Sequence, residues 1–177
     1  MRFLCQIALD EPVFGDFAGR MAYLFISDGA TFVDNTYDPD GGENALIIQP
    51  GRYEGKITGA ATGPALEKAI DNPARRRRDF FAAEYAVDLL PGEDPDEIEA
   101  DAAELDEDEA APWDENKIGG APAWFQGPEY LSGGPWKLLL QLDSASVPFD
   151  VNFGDAGIGY GFIALDGQTG KFLWQCA

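Results

Sequence analysis

Histidine is absent from the sequence, and cysteine and basic residues are scarce, with two cysteines and 12 lysines and arginines in 177 residues. Without histidine, the chain lacks the side chain that ordinarily titrates near neutral pH, the Ser-His-acid triad and the commonest ligand of transition metals. Two cysteines alone supply too few ligands for a typical four-coordinate zinc site. We therefore predict no metal, no cofactor and no catalytic residues, and any enzyme activity would have to rely on carboxylates.

Long apolar runs are missing too. No window holds the roughly 20 consecutive apolar residues that span a bilayer, and the N-terminal MRFLCQIALDEP has too short an apolar run for a signal peptide. These absences predict a cytoplasmic protein, so we expect Cys5 and Cys176 to be buried free thiols rather than a disulfide. With 45% hydrophobic residues, residues 1–177 suit a single domain.

Acidic residues are abundant and unevenly placed. The formal net charge is −20, and 13 of the 32 aspartates and glutamates lie within 93–115, which contains no basic residue. Such a chain has no electrostatic reason to bind nucleic acid or an anionic membrane, so we expect a basic protein as its partner. The predicted partner-binding residues are Glu93, Asp94, Asp96, Glu97, Glu99, Asp101, Glu104, Asp114 and Glu115.

An internal repeat organises both ends of the chain. The matching segments are FLCQIALD (3–10) and FGDFAG (14–19) in the first copy, and LLLQLDSA (138–145) and FGDAG (153–157) in the second. Gln6 therefore aligns with Gln141, and Tyr23 with Tyr160. Each copy reads as an apolar strand, a connection with a Gly-Asp turn and a second strand rich in aromatic residues.

The segment between the copies, about 64–112, carries helix signals instead. Asn72-Pro73 is typical of a helix start and Pro91-Gly92 of a stop. One helical face would hold Phe80, Ala83, Val87 and Leu90. We predict an α+β fold in which two related, mostly antiparallel β-units, about 1–60 and 116–177, flank a helical and acidic insertion.

A second helix is predicted after Asp94-Pro95, although the acidity of 93–115 leaves a solvated, mobile loop as an alternative. Arg75–Arg78 at the start of the first helix and Asp106–Glu109 near the end of the second both oppose the helix dipole. Folding the helices back antiparallel would place these clusters side by side. We therefore hypothesise a charge-paired helical hairpin over 73–109.

Three tempting motifs have plainer interpretations. GDAGIGYG, at 154–161, leads into a strand rather than a helix, which argues against a phosphate-binding loop. TYDPDGGEN, at 36–44, resembles the start of an EF-hand loop but lacks the closing glutamate, which favours a glycine-rich turn. Asp16 and Asp155 each follow a glycine, so we expect them to hydrogen-bond their own turns rather than share a catalytic cleft.

The second half of the chain resembles the YwqG-like family of bacterial proteins. The segments that carry the resemblance are NKIGGAPAWFQGPE (116–129), WKLLLQLDSA (136–145), FGDAGIGYGFI (153–163) and FLWQC (172–176). The resemblance implies an α+β fold of two related β-units and brings no established enzyme activity. Some relatives carry a cysteine-rich segment before the LLLQ strand, but LSGGPWK stands there in this chain, so no metal is inferred.

Two further implications concern function. YwqG-like proteins occur among immunity proteins encoded beside polymorphic toxins. A more distant likeness, through the LLLQ type of strand, is to the programmed cell death protein two family, whose members are associated with chaperoning a basic ribosomal protein. We favour an immunity protein that binds a basic, cytoplasm-acting toxin. The alternatives are a chaperone or escort of a basic client and, third, a carboxylate-dependent enzyme or small-ligand-binding protein.

Overall fold

The computed structural model describes residues 1–27, 35–53, 62–94 and 116–177. Within these ranges the strands are β1 (Arg2–Leu9), β2 (Arg20–Ile26), β3 (Ala45–Ile48), β4 (Glu67–Asn72), β5 (Arg77–Ala82), β6 (Lys117–Ile118), β7 (Trp136–Asp143), β8 (Ile158–Ala164) and β9 (Gly170–Gln175). They form three antiparallel sheets with the orders β1-β2-β3, β4-β5 and β6-β7-β8-β9. The only helical element in the described residues is a 3-10 turn at Gly15–Phe17.

The predicted α+β fold with a helical insertion is therefore wrong. Residues 67–82 form a β-hairpin in which the strands pair from Glu67 opposite Ala82 to Asn72 opposite Arg77. Asn72 begins a turn instead of a helix, because its main-chain and side-chain oxygens both accept from the backbone N–H of Arg75. Residues 83–94 continue without a helix or strand.

The hypothesis of a charge-paired helical hairpin over 73–109 is wrong, because the residues of its first helix begin with a turn and a strand instead. Arg75 and Arg76 lie in the turn between β4 and β5, and Arg77 and Arg78 begin β5. They therefore do not oppose a helix dipole. The predicted second helix and its acidic cluster lie outside the described residues.

The first and last sheets share one strand register. Gln6 lies opposite Tyr23 across β1 and β2, and Gln141 lies opposite Tyr160 across β7 and β8. Each first strand also has a register shift two residues before its glutamine, at the equivalent leucines Leu4 and Leu139. β1, β2 and β3 thus correspond in order to β7, β8 and β9. We call these two sets unit one and unit two.

The two units enclose one hydrophobic core. Its buried residues come from both sheets and their connections: Leu4, Ile7, Leu9, Phe14, Phe17, Ala22, Leu24, Ile26, Leu46, Ile48, Leu139, Leu140, Phe153, Ile163, Phe172 and Trp174. The sheets approach closely at β3 and β9, where a Cβ on Gly170 would lie 2.5 Å from the carbonyl oxygen of Leu46. Burying this apolar surface is the main force that joins the units.

The repeated Phe-Gly-Asp motif contributes to core packing. Phe14 and Phe153 are each 1% exposed and belong to the shared core, whereas Asp16 and Asp155 are exposed. Contrary to the prediction, neither carboxylate hydrogen-bonds its own turn within the described residues. The side chain of Asn152 takes this role in unit two and accepts from the backbone N–H of Gly154.

Unit two is buried on both faces. All seven residues of β8 are buried, and a second cluster on the outer face of the sheet holds Leu138, Ile158, Tyr160, Phe162 and Leu173. Trp124, Leu131 and Trp136 cover this cluster. The glycine-rich GDAGIGYG leads into β8, where a Cβ on Gly161 would lie 2.6 Å from a methyl group of Leu140. Close strand packing therefore explains that glycine.

Two other expectations concern the cysteines and the membrane. Cys5 and Cys176 are free thiols, as predicted, but both residues are partly exposed. Burial of the thiol nevertheless raises the pKa of Cys5 to about 12. In the described ranges, no helix has the length and apolar character to cross a membrane.

Candidate protein-binding surface

The β4–β5 hairpin projects from the two units and is attached at its base. The backbone N–H of Asp150 donates to the carbonyl of Glu67 at 2.7 Å. Just beyond β5, the hydroxyl of Tyr85 donates to the carbonyl of Pro148 at 2.8 Å, and its ring packs against Phe149. These contacts fix the hairpin base to the 148–150 loop and leave half of β4 and five of the six residues of β5 exposed.

Large apolar side chains are exposed along this hairpin and the segment after it. Within residues 70–90 they are Ile70, Phe80, Phe81, Tyr85, Val87, Leu89 and Leu90. This set, which we call the apolar arm, contains half of the exposed large hydrophobic residues that the structure describes. Leu90 is 90% exposed and Val87 75% exposed. Concentrated apolar exposure on a folded protein is typical of a protein-binding surface.

The tip of the hairpin is basic. Arg75, Arg76, Arg77 and Arg78 are all exposed. Of these four, only Arg77 has an ion pair within the described residues, to Asp79 at 2.9 Å. The hairpin thus carries both part of the apolar arm and three arginines, Arg75, Arg76 and Arg78, that have no ion pair in the described residues. The segment after it leads into the most acidic stretch of the sequence. A partner that contacts the whole arm would have to match both signs of charge.

Of the predicted partner-binding acids, only Glu93 and Asp94 lie in the described part of the chain. Glu93 is exposed. Asp94 is occupied within the protein, because its carboxylate accepts from Lys117 Nζ at 3.0 Å and from the backbone N–H of Ala121. The others, Asp96, Glu97, Glu99, Asp101, Glu104, Asp114 and Glu115, lie outside the described residues.

Asp94 therefore anchors the end of the arm segment to unit two. Burial alone would raise the pKa of Asp94, but the hydrogen bonds from Ala121 and Lys117, with the charge of Lys117, together hold this pKa below its ordinary value. The carboxylate fits only because Gly120 lacks a side chain and has a φ of +75°, since a Cβ there would overlap Asp94 Oδ2. This contact explains Lys117 and Gly120 of the Lys-Ile-Gly-Gly motif at 117–120.

A shallow groove of about 460 Å³ lies on the outer side of unit two. It is lined by Gly120, Pro122, Glu129, Tyr130, Leu131, Gly134, Pro135, Trp136, Lys137, Leu138 and Phe162. Neither Asp16 nor Asp155 lines it. The groove was not predicted from the sequence, because most of its lining residues come from an irregular segment, 120–135, with no periodic pattern, and the rest come from β7 and β8.

A polar cluster at the edge of unit two links it to the 35–44 turn. Lys171 Nζ contacts Asp40 Oδ1 at 2.6 Å and Ser132 Oγ at 2.8 Å, and lies over the ring of Trp136. The hydrogen bonds from Lys171 and Ser132 lower the pKa of Asp40. The segment at 36–44 is thus a turn that the contact between Asp40 and Lys171 holds against unit two. Across the described ranges, no group of three or more His, Cys, Asp or Glu side chains could hold a metal ion.

Comparison with known proteins identifies the family. A family model described as a domain of unknown function, DUF1963, matches residues 36–167, which is most of the chain. The chain belongs to this family, which is the YwqG-like family that the motifs of unit two indicated. The matched range includes the apolar arm, the Lys-Ile-Gly-Gly motif and β7 and β8. No curated protein and no solved structure matches the chain.

Proposed function

We propose that this protein acts by binding another protein through the apolar arm and the acidic stretch that follows it. The observation that carries the proposal is the exposure of seven large apolar side chains between Ile70 and Leu90. Burying this surface against a partner would contribute a favourable free energy of roughly 25 cal/mol per Å² of apolar area. The well-packed core shared by the two units makes this exposure a local feature of the arm.

The more specific proposal is an immunity protein that neutralises a basic toxin in the cytoplasm. Its support is the net charge of −20, the 13 acids in 93–115 and the occurrence of YwqG-like proteins beside toxins. Acidic side chains at the rim of an interface would speed the encounter with a basic toxin, while the apolar arm would supply buried contact area.

Site-specific photo-crosslinking in the native cell tests whether the arm binds a partner. A photoreactive residue replaces Leu90 in one version of the protein and, as a control, Tyr130 in another. Leu90 is 90% exposed and Tyr130 is 96% exposed, and Tyr130 lies outside the arm, in the segment that precedes β7. We expect a discrete adduct with one basic protein at position 90 and none at 130. Absence of an adduct at 90, or equal labelling at both positions, would refute the arm as the binding surface.

Inhibition of the captured partner tests the immunity role. An immunity protein should bind the folded toxin at a one-to-one ratio and abolish its activity in vitro and its toxicity in cells. An escort should instead bind the newly made client and release it when the client is folded. Stable binding to a folded partner without loss of that partner's activity would contradict the immunity proposal and leave the binding surface in place.

A further inference from the structure

Unit two holds a segment without helix or strand on its outer face by hydrogen bonds to the backbone atoms of that segment. We call residues 123–127 the strap. The side chains that hold it are Gln141, Tyr160 and Gln175, which are 0%, 0% and 3% exposed. We call this trio the glutamine-tyrosine frame.

The frame binds main-chain groups of the strap in order along the chain. Gln141 Oε1 accepts from the N–H of Ala123, and the Tyr160 hydroxyl donates to the carbonyl of the same residue. The Tyr160 hydroxyl also accepts from the N–H of Phe125. Gln175 closes the set by accepting from the N–H of Gln126 and donating to the carbonyl of Gly127. These five bonds, 2.7 to 3.0 Å long, are all made to main-chain atoms and so demand no particular side chain. They follow a backbone that bends at 125–127, where Gly127 has a φ of +108°.

One side chain of the strap adds an aromatic contact. The Trp124 ring lies 4.8 Å from that of Tyr160 and stacks on Phe162 with a centroid distance of 5.7 Å. The frame of unit two therefore holds an uncharged segment with one aromatic ring, that of Trp124, packed against the sheet.

Unit one carries the same frame at the same register. Gln6 and Tyr23 correspond to Gln141 and Tyr160. Tyr23 pairs with Ile47 across β2 and β3, as Tyr160 pairs with Leu173 across β8 and β9, so Gln49 corresponds to Gln175. Phe25 takes the place of Phe162, and Phe3 lies beside it with ring centroids 5.5 Å apart.

The frame of unit one is accessible. Gln6, Tyr23 and Gln49 are each partly exposed, and Ile47 on the same face is 51% exposed. The Tyr23 hydroxyl donates to Gln49 Oε1 at 2.7 Å, so it is satisfied within the frame instead of by a strap. Gln6 makes no side-chain hydrogen bond within the described residues. Replacing the Tyr23–Gln49 bond with bonds to a peptide backbone would exchange one hydrogen bond for several.

We propose that the outer face of β1, β2 and β3 is a binding site for an uncharged segment of a partner protein that bends as the strap does. The segment carries an aromatic residue at the position of Trp124 and lies on unit one as the strap lies on unit two. Its backbone bonds Gln6, Tyr23 and Gln49, and its aromatic ring stacks on Phe25. This site involves none of the residues of the apolar arm, so it can be present whether or not the arm binds a toxin.

The strap of a second copy is not the expected occupant. Each strap is held in its own chain by five hydrogen bonds and by the stacking of Trp124. Donating it to another copy would leave the buried frame of unit two unpaired, which costs more than the exposed frame of unit one gains.

The test uses a fluorescently labelled peptide, GGAPAWFQG, which copies residues 119–127, and the full-length protein. Fluorescence anisotropy measures its affinity for the wild-type chain, for the double variant Gln6→Ala/Gln49→Ala and for Tyr23→Phe. Matched controls are Gln168→Ala and Tyr130→Phe, which alter an exposed glutamine and an exposed tyrosine elsewhere. Thermal unfolding of each variant shows that it is folded.

We expect saturable binding that weakens about tenfold or more in the double variant and several-fold in Tyr23→Phe, because each lost hydrogen bond contributes a factor of about five. The two controls should bind as the wild type does, and a peptide with alanine in place of tryptophan should bind more weakly.

Three results would overturn the proposal. The first is no binding of the peptide at millimolar concentration. The second is binding that the unit-one substitutions do not change, which would indicate exchange with the strap. The third is a dimer in sedimentation that the double variant abolishes, which would make a second copy the occupant.

Discussion

Asp94 illustrates how one carboxylate in an acidic protein serves the fold. Its side chain is 24% exposed and its partner Lys117 is 16% exposed, so this ion pair is better shielded from water than an ordinary surface pair. Because Ala121 adds a backbone hydrogen bond, the carboxylate joins the end of the arm segment to the entrance of unit two. The same residue is among the acids that the charge pattern assigned to partner binding.

Replacing Asp94 with asparagine should lower the free energy of unfolding by about 1–2 kcal/mol, because the ion pair and a charge-assisted hydrogen bond are weakened. Chemical denaturation of the variant measures this loss, and Asp88→Asn, at an exposed residue of the same segment, is the control. An equal effect of the two substitutions would show that Asp94 anchors nothing.

The contribution of Asp94 should also depend on pH in the acid range. The folded pKa of Asp94 lies below its ordinary value of 3.8. Its stabilising effect is therefore complete above that value and is lost as the pH falls through the folded pKa. The difference in unfolding free energy between the wild type and Asp94→Asn should be constant from about pH 7 to pH 5 and should shrink below about pH 4. A difference that persists unchanged at pH 2 would contradict this assignment.

Gly120 should be sensitive to substitution for two separable reasons. Alanine there adopts a left-handed φ, which costs about 1–2 kcal/mol, and its Cβ also overlaps Asp94 Oδ2. Gly42 has a nearly identical φ, +78° against +75°, and a Cβ added to it would meet nothing within 4 Å. Thermal unfolding should therefore show a larger loss for Gly120→Ala than for Gly42→Ala. Equal losses would mean that backbone strain alone explains Gly120.

At the scale of elements, the two frames give a matched pair of tyrosines. Tyr160 is fully buried and its hydroxyl bonds two backbone groups of the strap, whereas Tyr23 is partly exposed and bonds Gln49. Tyr160→Phe should cost about 1–3 kcal/mol of unfolding free energy, because it leaves buried backbone groups unpaired. Tyr23→Phe should cost less than about 1 kcal/mol, because water can replace the lost partner. Urea denaturation of both variants checks the order, and a larger loss for Tyr23→Phe would contradict it.

The repeat could be read from the sequence down to its register. The alignment of Gln6 with Gln141 and of Tyr23 with Tyr160 needed only the order of apolar, glutamine and aromatic residues, since strands of matched length impose the same pairing. The third member of each frame was not identified. Gln49 and Gln175 stand at the ends of third strands that share little sequence, so only the paired strands reveal their equivalence.

The arm could not be predicted because its signals fit two structures. Asn72-Pro73 begins a turn as readily as a helix, and the stretch after it combines helix formers with aromatic residues that favour strands. Apolar residues at helical spacing normally indicate a buried face. Here Phe80, Val87 and Leu90 are exposed. Their helical spacing therefore does not mark a face that packs against the rest of the chain. A candidate binding surface was therefore interpreted as a helix core.

At the scale of the whole molecule, charge should govern how fast a partner associates. Exposed charges are screened beyond about 8 Å at physiological salt, so attraction between this chain and a basic partner acts mainly at low salt. Stopped-flow measurements should show an association rate that falls at least about tenfold between about 20 mM and about 500 mM salt, with a much smaller change in the dissociation rate. An association rate independent of salt would exclude electrostatic steering by the acidic stretch.

The most direct test of the protein-binding proposal is the affinity of the cross-linked partner for arm variants, measured by titration calorimetry. Val87→Glu/Leu90→Glu places charges on two of the most exposed residues of the arm, and Leu165→Glu does so at a 55% exposed leucine elsewhere. We predict that the double variant binds at least about 100-fold more weakly, because central apolar contacts dominate such interfaces, while its melting temperature and the affinity of Leu165→Glu stay unchanged. Equal affinities for the wild type and both variants would contradict the proposal.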